Sequence, residues 1–533
     1  MDGNVTFLGH FSKKLITNTL FNFVGRCWSF VLTLLLTPYI LLHLNVHEFG
    51  AWVLMSMFIS AFNPGQVPLF DLGGVFMKYI SEFYTYEDFE SIKRVLVCGL
   101  YFYSLFGVAL ISAGLLLQGP LFHLFHISDG AFRAFVLVLV ASAISNLSAM
   151  LLSVFKGIQR MDKSNSLEIS LSIVNAAGTV YFLATGWGLL GLATNALLNA
   201  SFAVIITYWA VLRTVPKFGL RTTFEPKLLR DMLAYGAKMQ VSSIGGLVCF
   251  QLPKLIISRF LGTDTVSFYV VSSRLTLFMR AVPLVMISAL IPATSELRAR
   301  QDRSRILQTY LMASKYVAVL TVAMAGFLIV EARSVLMLWL GSGFESAAVL
   351  VQILAIGYGA NILGGPASQT GAGIGRPEFD MRSTVLLTVL TPVLGIMLVQ
   401  KFGAAGAAAG TAIAFLIATG YLLLAFHRNY VEDSVRTVLS SIYVRPLTAG
   451  TLAAVSVKVL HGLVPQIAAW ESIRHLIPLK MLFDFAIFAP TYLLILVILR
   501  QITAIDWNNF LSLLAFGSEL LRHPYRERVK IYR

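Results

Sequence analysis

Residues 95–117 read VLVCGLYFYSLFGVALISAGLLL, a continuous run without a charged side chain. An α-helix of about 20 mostly apolar residues crosses the roughly 30 Å hydrocarbon core of a bilayer. Similar runs recur along nearly all of the 533 residues, which are 57% hydrophobic and only 13% charged, with a mean hydropathy of +0.77. So few polar residues cannot cover a globular surface, and lipid must therefore be the main solvent of this chain.

The runs predict an all-α polytopic membrane protein with about 14 transmembrane helices. A β-barrel is excluded because its strands would alternate apolar and polar residues, whereas these runs are apolar at consecutive positions. The predicted spans cover residues 19–44, 49–70, 95–117, 132–155, 167–184, 189–212, 236–260, 266–291, 310–330, 349–370, 385–399, 404–425, 446–464 and 481–499.

Lysine and arginine in short loops mark the cytoplasmic side of a membrane protein. Of 41 such residues, 28 fall on the side of the N-terminus, whereas the opposite side has only Arg133, Arg333, Lys401, Arg474 and Lys480. Both termini are therefore predicted to be cytoplasmic. This topology explains the net charge of +15 better than nucleic-acid binding does, so no nucleic-acid partner is expected. The basic, amphipathic tail is expected to lie on membrane lipids.

Three local matches recur at a nearly constant offset of 215 to 217 residues, which indicates a duplicated half. Residues 157–160 (GIQR) match 373–376 (GIGR), and residues 188–193 (GLLGLA) match 403–408 (GAAGAA). In the third match, Leu44-Asn45 followed by Phe49-Gly50 corresponds to Leu261-Gly262 followed by Val266-Ser267. We therefore predict an N-lobe at 1–212 (spans 1–6), a cytoplasmic linker at 213–234, a C-lobe at 235–426 (spans 7–12), two extra spans at 427–504 and a cytoplasmic tail at 505–533. Lobes with an even number of spans would face each other across a central cavity.

Eight basic residues fall inside predicted spans, where a lipid-facing charge would cost about 2.5 to 3.5 kcal/mol each. Most must therefore line a wet interior or reach an interface. They are Arg26, Lys238, Lys254, Arg259, Arg274, Arg280, Lys315 and Lys458.

Arg26, Lys254 and Arg280 are the strongest candidates for a cationic lumen. Arg26 shares a helix face with Asn18, Asn22, Gly25, Ser29 and Thr33, and Lys254 follows Pro253, which can open the backbone beside it. Asn22, Arg274, Lys238 and Arg259 are weaker candidates. The alternative is that these cations bind backbone carbonyls or single acids for purely structural reasons. That interpretation is stronger for the residues that could reach an interface or lie at a contact between the lobes, namely Lys238, Arg259, Arg274, Lys315 and Lys458.

No pattern predicts a metal or a cofactor. The three cysteines lack CxxC spacing, and His43 with His47 and His123 with His126 have no nearby Cys or acidic ligands. Asp71 and Glu168 are expected to be local partners of bases or helix caps rather than proton carriers.

The N-terminal motifs resemble the start of polysaccharide-biosynthesis flippases, including O-antigen flippases, of the multidrug, oligosaccharidyl-lipid and polysaccharide exporter superfamily. They are Asn18-x3-Asn22-x3-Arg26, Pro38, Glu48-Phe-Gly-Ala-Trp52, Leu69-Phe-Asp-Leu-Gly73 and Ile80-Ser-Glu82. The resemblance covers about residues 15–427. It implies two six-helix lobes, with two added helices as in the lipid II flippase branch.

The resemblance also implies a function without covalent chemistry, so the protein is not expected to be an enzyme. It implies movement of an undecaprenyl-pyrophosphate-linked oligosaccharide, a lipid-linked anionic glycan, from the cytoplasmic to the outer leaflet of the plasma (inner) membrane. Polysaccharide polymerase and assembly proteins would be further partners.

Two other classes of function fit the sequence less well. A cation-coupled multidrug exporter of the same superfamily would need acidic groups in the lumen, whereas the charges inside the spans are overwhelmingly basic. A membrane-embedded glycan polymerase or transferase would need a reactive group of side chains on a sizeable loop, and the largest outer loop, 464–480, contains one acid, Glu471.

The predicted topology can be tested by cysteine labelling. A cysteine at Thr263 should react with a membrane-impermeant reagent from outside, and one at Arg300 should react only after the membrane is opened. The reverse pattern would contradict the assignment of both termini to the cytoplasm.

Overall fold

The structure is a computed structural model. It describes Gly25, residues 28–61, 73–214, 223–431 and 439–502, and Asp506. The side chains of 58–61, 238–243, 468, 469 and 472 are outside this description. The described part is nearly all helical and contains no strand. Ten of its helices are long and apolar enough to cross a membrane, and they include a 53-residue helix that contains two predicted spans. The all-α membrane architecture is thereby confirmed, while the count of 14 spans stays a prediction.

The described part of the first half contains eight α-helices. They are α1 (Trp28–His43), α2 (Val46–Ala61), α3 (Gly73–Thr85), α4 (Phe89–Leu116), α5 (Gln118–Phe125), α6 (Phe132–Gly157), α7 (Met161–Ala184) and α8 (Gly188–Thr214). The turns after α3 and α6 lie at one end of the bundle, which we call the basic end because Arg94 and Arg160 lie there. The turns after α1 and α4 lie at the opposite end, which we call the far end.

The second half repeats this pattern. Its helices are α9 (Pro226–Phe250), α10 (Leu252–Leu261), α11 (Thr263–Ser288), α12 (Leu290–Ala299), α13 (Arg303–Val330), α14 (Ala332–Leu340), α15 (Ala348–Leu363), α16 (Gly365–Gly373) and α17 (Glu378–Tyr430). Helix α17 is broken at Gly403, whose φ of 59° and ψ of −140° are not helical. Its two arms correspond to predicted spans 11 and 12.

Three helices follow the repeat: α18 (Arg445–Leu463), the short α19 (Pro465–Ala469) and α20 (Ile477–Ile498). We call α18 and α20 the C-terminal helix pair. It packs on α13 through a buried cluster that includes Val322, Val457, Phe488 and Tyr492. The predicted tail at 505–533 lies outside the described residues except for Asp506, whose carboxylate accepts hydrogen bonds from Lys315 and Tyr316.

The boundaries of the helices support the internal repeat. Helices α2, α3, α4, α5 and α6 begin 214 to 217 residues before α11, α12, α13, α14 and α15. Left-handed backbone recurs at the same offset, with positive φ at Glu87 and Gln301, at His126 and Gly341, and at Gln159 and Gly375. The agreement therefore extends from the helices to the turns between them. The lobe boundaries themselves remain predictions.

Equivalent aspartates begin α4 and α13. Asp88 accepts a hydrogen bond from the Ser91 N–H at 3.0 Å, and Asp302 accepts one from the Arg305 N–H at 3.1 Å. A side-chain hydrogen bond from Ser91 lowers the pKa of Asp88, and the backbone N–H of Arg305 lowers the pKa of Asp302. Both carboxylates are therefore ionised at neutral pH, which suits a helix N-terminus.

Several predicted spans are broken in the structure. Predicted span 7 divides at Gln251, and Pro253 lies in the first turn of the next helix, as the sequence analysis expected. Predicted span 10 divides near Gly364 into α15 and α16. Predicted span 2 ends at residue 70, yet a further helix, α3, follows it. Helix α3 contains Lys78 and Glu82, which explains why apolar content alone did not extend the span.

Helix α8 continues to Thr214 and α9 begins at Pro226, so both extend into the predicted linker, whose bounds stay a prediction. Its described residues contact the first half. Glu225 pairs with Arg94 at 3.4 Å, and the backbone carbonyl of Glu225 accepts a hydrogen bond from Cys98 at 3.5 Å.

Small residues allow the two arms of α17 to approach each other closely. A methyl group added at Gly410 would lie 2.8 Å from the backbone nitrogen of Gly395, which is closer than van der Waals contact allows. Gly406 lies one turn away and faces the backbone of Leu398. Since apolar burial does not drive helix association in lipid, such close backbone packing supplies much of the stability.

We expect Gly410→Leu to reduce the amount of folded protein several-fold, because the side chain would force the two arms of α17 apart. Gly420→Leu is the matched control, since it lies on the same arm and has no atom within 4 Å of an added methyl group. Fluorescence-detected size exclusion of both variants in mild detergent measures the effect. Equal yields would show that the contact between the arms is dispensable.

Candidate functional site

Lys254 lies where the second half's first span is broken. Its Nζ donates a hydrogen bond to Gln251 Oε1 at 2.6 Å, immediately beside the interruption at Pro253. No carboxylate of the described residues lies within ion-pair distance of Lys254. The side chain therefore has a neutral partner and keeps an uncompensated positive charge.

Arg274 joins the two halves. Its Nη1 donates a hydrogen bond to Thr37 Oγ1 of α1 at 2.5 Å, and its guanidinium lies 5.3 Å from the ring centroid of Phe49 on α2. Arg274 is also close enough to Lys254 for the two charges to repel each other. These two predicted residues are therefore brought together where the halves meet.

Arg280 lies among aromatic and amide groups of the second half. Its Nη2 donates to Asn361 Oδ1 at 3.0 Å, and its guanidinium lies 4.9 Å from the ring of Phe250 and 5.4 Å from that of Tyr358. Its buried Nε has no hydrogen-bond acceptor among the described residues. A cation held by an amide and two ring faces can still bind an anion, because none of its partners carries negative charge.

The other predicted site residues are either exposed or outside the described part of the chain. Arg259 is exposed and lines a cleft of about 430 Å³ at the far end, together with His123 and Asp129. Arg26 and Asn22 lie outside the described residues, and so does the side chain of Lys238. A shared cavity that includes Arg26, Lys254 and Arg280 therefore stays a prediction.

Several residues that the sequence analysis assigned to structural roles have a polar or charged partner. Lys315 pairs with Asp506 at 2.7 Å, and Glu168 pairs with Lys156 at 3.1 Å, which confirms the local pairing expected for this acid. Lys458 is exposed. His126 donates a hydrogen bond to the carbonyl of Ser258 at 3.0 Å. Asp71 lies outside the described residues.

The halves contact each other at the far end through equivalent positions of the repeat. His47 and Asp264 are 217 residues apart, as are the starts of α2 and α11, and His47 Nδ1 lies 2.9 Å from Asp264 Oδ1. Ser267 donates to the carbonyl of Val46 at 2.6 Å. Thr263 is 1% exposed in this contact, so Asp264, with a side chain 64% exposed, is the better position for labelling from outside.

Further hydrogen bonds join the two halves. Ser258 donates to the carbonyl of Phe125 at 2.6 Å, and Trp339 Nε1 donates to the carbonyl of Leu34 at 2.7 Å. The sequence analysis did not predict the His47–Asp264 contact, although the offset of 217 between Leu44 and Leu261 placed the two residues at equivalent positions. It also missed Asn361, the partner of Arg280, for which no sequence signal was available.

The profile of a family described as polysaccharide biosynthesis protein matches residues 130–349. A probable low-salt glycan biosynthesis flippase, Agl15, of Haloferax volcanii is 25% identical over 305 residues, which are 56% of this chain and 61% of that protein. A candidate O-antigen transporter of Shigella flexneri is 23% identical over 194 residues, 36% of this chain and 45% of that protein. The resemblance to polysaccharide-biosynthesis flippases is confirmed. The matched region spans less than two thirds of either relative.

Two solved structures share the fold of this chain. The lipid II flippase MurJ, in an inward closed conformation, has a TM-score of 0.69 at 16% identity and covers 90% of this chain and 99% of its own. An inward-facing multidrug-resistance transporter of the MATE family has a TM-score of 0.64 at 18% identity and covers 79% of this chain and 95% of its own. The named relatives are transporters rather than enzymes, in agreement with the expectation of a chain without covalent chemistry.

Proposed function

We propose that this protein is a flippase that moves an undecaprenyl-pyrophosphate-linked oligosaccharide from the cytoplasmic to the outer leaflet of the plasma membrane. The observation that carries the proposal is that three half-buried cations, Lys254, Arg274 and Arg280, have only neutral partners among the described residues. A pyrophosphate would supply the missing negative charge, and guanidinium groups can bind phosphate oxygens at two positions.

Polar partners would also let these cations exchange ligands. The Thr37 hydroxyl and the Gln251 and Asn361 amides compensate part of the desolvation cost of each cation without neutralising it. A carboxylate in the same position would compete with the phosphate. The site therefore suits an anion that must bind and leave in every cycle.

A cation-coupled multidrug exporter is the alternative within the same superfamily. Such a protein would need acids in the lumen. In the described part of the chain, the fully buried acids Glu331 and Asp484 lie at the C-terminal helix pair, where both contact Lys480. This placement favours the anionic substrate.

The mechanism we propose is alternating access. The far-end contacts between the halves would close the outer side while the cationic residues receive the substrate from the basic end, which we assign to the cytoplasm together with both termini. Breaking those contacts would open the site outward, and the polyprenyl tail would remain in lipid. With the inside negative, each negative charge that moves outward gains about 2.3 kcal/mol per 100 mV, so the membrane potential alone can drive the step.

We expect an Arg26→Ala, Lys254→Ala, Arg280→Ala triple variant to reduce glycan export at least about tenfold, because lost charge-assisted hydrogen bonds contribute roughly 1.5 to 3 kcal/mol each. Arg280→Lys should retain part of the export that Arg280→Ala loses. Surface glycan in cells lacking the native gene is measured beside protein abundance in the membrane. Lys458→Ala is the matched control, since it removes an exposed basic residue from a predicted span. Full export by the triple variant at normal abundance would contradict a cationic lumen.

Alternating access can be tested at the far-end contact. In a cysteine-free background, His47→Cys with Asp264→Cys should be joined by a short, cleavable bifunctional thiol reagent, and export should stop until a reductant restores it. Arg333→Cys with Glu345→Cys is the matched control, because this ion pair also lies at the far end but within the second half. Continued export by efficiently cross-linked His47→Cys, Asp264→Cys protein would show that the halves need not separate there.

A further inference from the structure

Asn361 lies at the interruption of predicted span 10. It is in the last turn of α15, and its backbone carbonyl accepts a hydrogen bond from the Gly364 N–H at 3.2 Å, just before α16 begins. Close packing holds this break in place, because a methyl group added at Gly364 would lie 3.0 Å from Thr419 Cγ2. The interruption therefore fixes the backbone from which the Asn361 side chain reaches Arg280 on α11.

The Asn361 amide has one occupied and one available hydrogen-bonding group. Its Oδ1 accepts a hydrogen bond from Arg280 Nη2 at 3.0 Å, and this orientation follows because a guanidinium can only donate. Among the described residues, Nδ2 has no acceptor, and the side chain is half-buried. The same amide can therefore hold Arg280 and donate a hydrogen bond to a ligand.

Arg280 also has unused hydrogen-bonding capacity. In the described part of the chain no carboxylate pairs with it, its Nε has no acceptor, and its other close neighbours are the rings of Phe250 and Tyr358. Arg280 and Asn361 together thus offer N–H donors and an uncompensated positive charge at one place. Donors that include a cation are the groups that bind a phosphate oxygen best.

The choice of an amide rather than an acid at residue 361 separates a binding role from a structural one. Aspartate has nearly the same shape, and as a charged acceptor it would hold Arg280 more strongly than asparagine does. It would also cancel the positive charge of Arg280 and remove the Nδ2 donor. Asparagine is therefore the weaker anchor for Arg280 but the better neighbour for an anion.

We propose that Asn361 is a specificity-determining residue that binds the same phosphate group as Arg280. Its Oδ1 orients the guanidinium without neutralising it, and its Nδ2 donates to a phosphate oxygen. The inference rests on the proposed function, because it names a further ligand of the substrate's pyrophosphate. It also identifies the neutrality of residue 361 as a cause of the preference for anions.

The experiment compares Asn361→Asp with Asn361→Ala in the purified full-length protein. Binding of inorganic pyrophosphate is measured by isothermal titration calorimetry in mild detergent, beside the melting temperature without ligand. We expect affinity to fall about threefold in Asn361→Ala and at least about tenfold in Asn361→Asp, because only aspartate adds a repelling charge. The melting temperature of Asn361→Asp should equal or exceed that of Asn361→Ala, since the acid pairs with Arg280.

A residue that only anchors Arg280 would give the opposite order of affinities, because aspartate preserves the anchor and alanine removes it. Pyrophosphate binding by Asn361→Asp that equals or exceeds that by Asn361→Ala would overturn the role of Asn361 and leave the proposed function standing. Absence of pyrophosphate binding by the wild-type protein would instead contradict the anion site itself, and with it both proposals.

Gln352→Glu is the matched control, because it makes the same change of charge on α15 at a residue whose amide donates to the backbone carbonyl of Ile329 at 3.0 Å. Its affinity for pyrophosphate should stay within about twofold of the wild-type value. A loss equal to that of Asn361→Asp would show that any added acid on α15 suffices. If Asn361→Asp does not fold, the uncharged Asn361→Leu decides, and unchanged affinity in that variant would overturn the proposal.

Discussion

A positive charge within a hydrocarbon layer must be hydrated, neutralised or shared with polar groups, and this constraint determines what the inner surface of the protein can bind. Lys254, Arg274 and Arg280 satisfy it with amides, a hydroxyl and aromatic faces. Such partners lower the energetic cost of each cation while leaving its charge available. Under the proposed function, these cations would give the interior affinity for anions and little for cations.

The three cations are not duplicated by the internal repeat. At the offset of 217, Lys254, Arg274 and Arg280 correspond to Thr37, Met57 and Asn63 of the first half. The duplicated scaffold therefore supplies similar helices twice, whereas the candidate site cations whose side chains the structure describes belong to the second half; Arg26 of the first half lies outside the described residues. Arg274 donates a hydrogen bond to Thr37, which is the position equivalent to Lys254 in the repeat. The first half therefore contributes a neutral hydroxyl oxygen to this contact.

Much of the fold could be predicted because a helix that crosses lipid must be apolar at nearly every position. The break beside Pro253 and the repeat offset could be predicted because proline and recurrent glycines act on the backbone locally. The partner of Arg280 could not be predicted, because Asn361 is 81 residues away and the pairing depends on how α11 and α15 pack. Helix α3 was missed because its polar residues lower its apolar content.

A transporter needs two conformations of similar free energy, and the far-end contacts suit this requirement. The side chains of His47 and Asp264 are 44% and 64% exposed, and exposed ion pairs contribute only about 0 to 1 kcal/mol. The ion pair between Lys480 on α20 and Glu331 differs, because both side chains are buried and breaking such a pair is strongly destabilising. A cycle of opening and closing should therefore separate the halves at the far end while the C-terminal helix pair moves together with the second half.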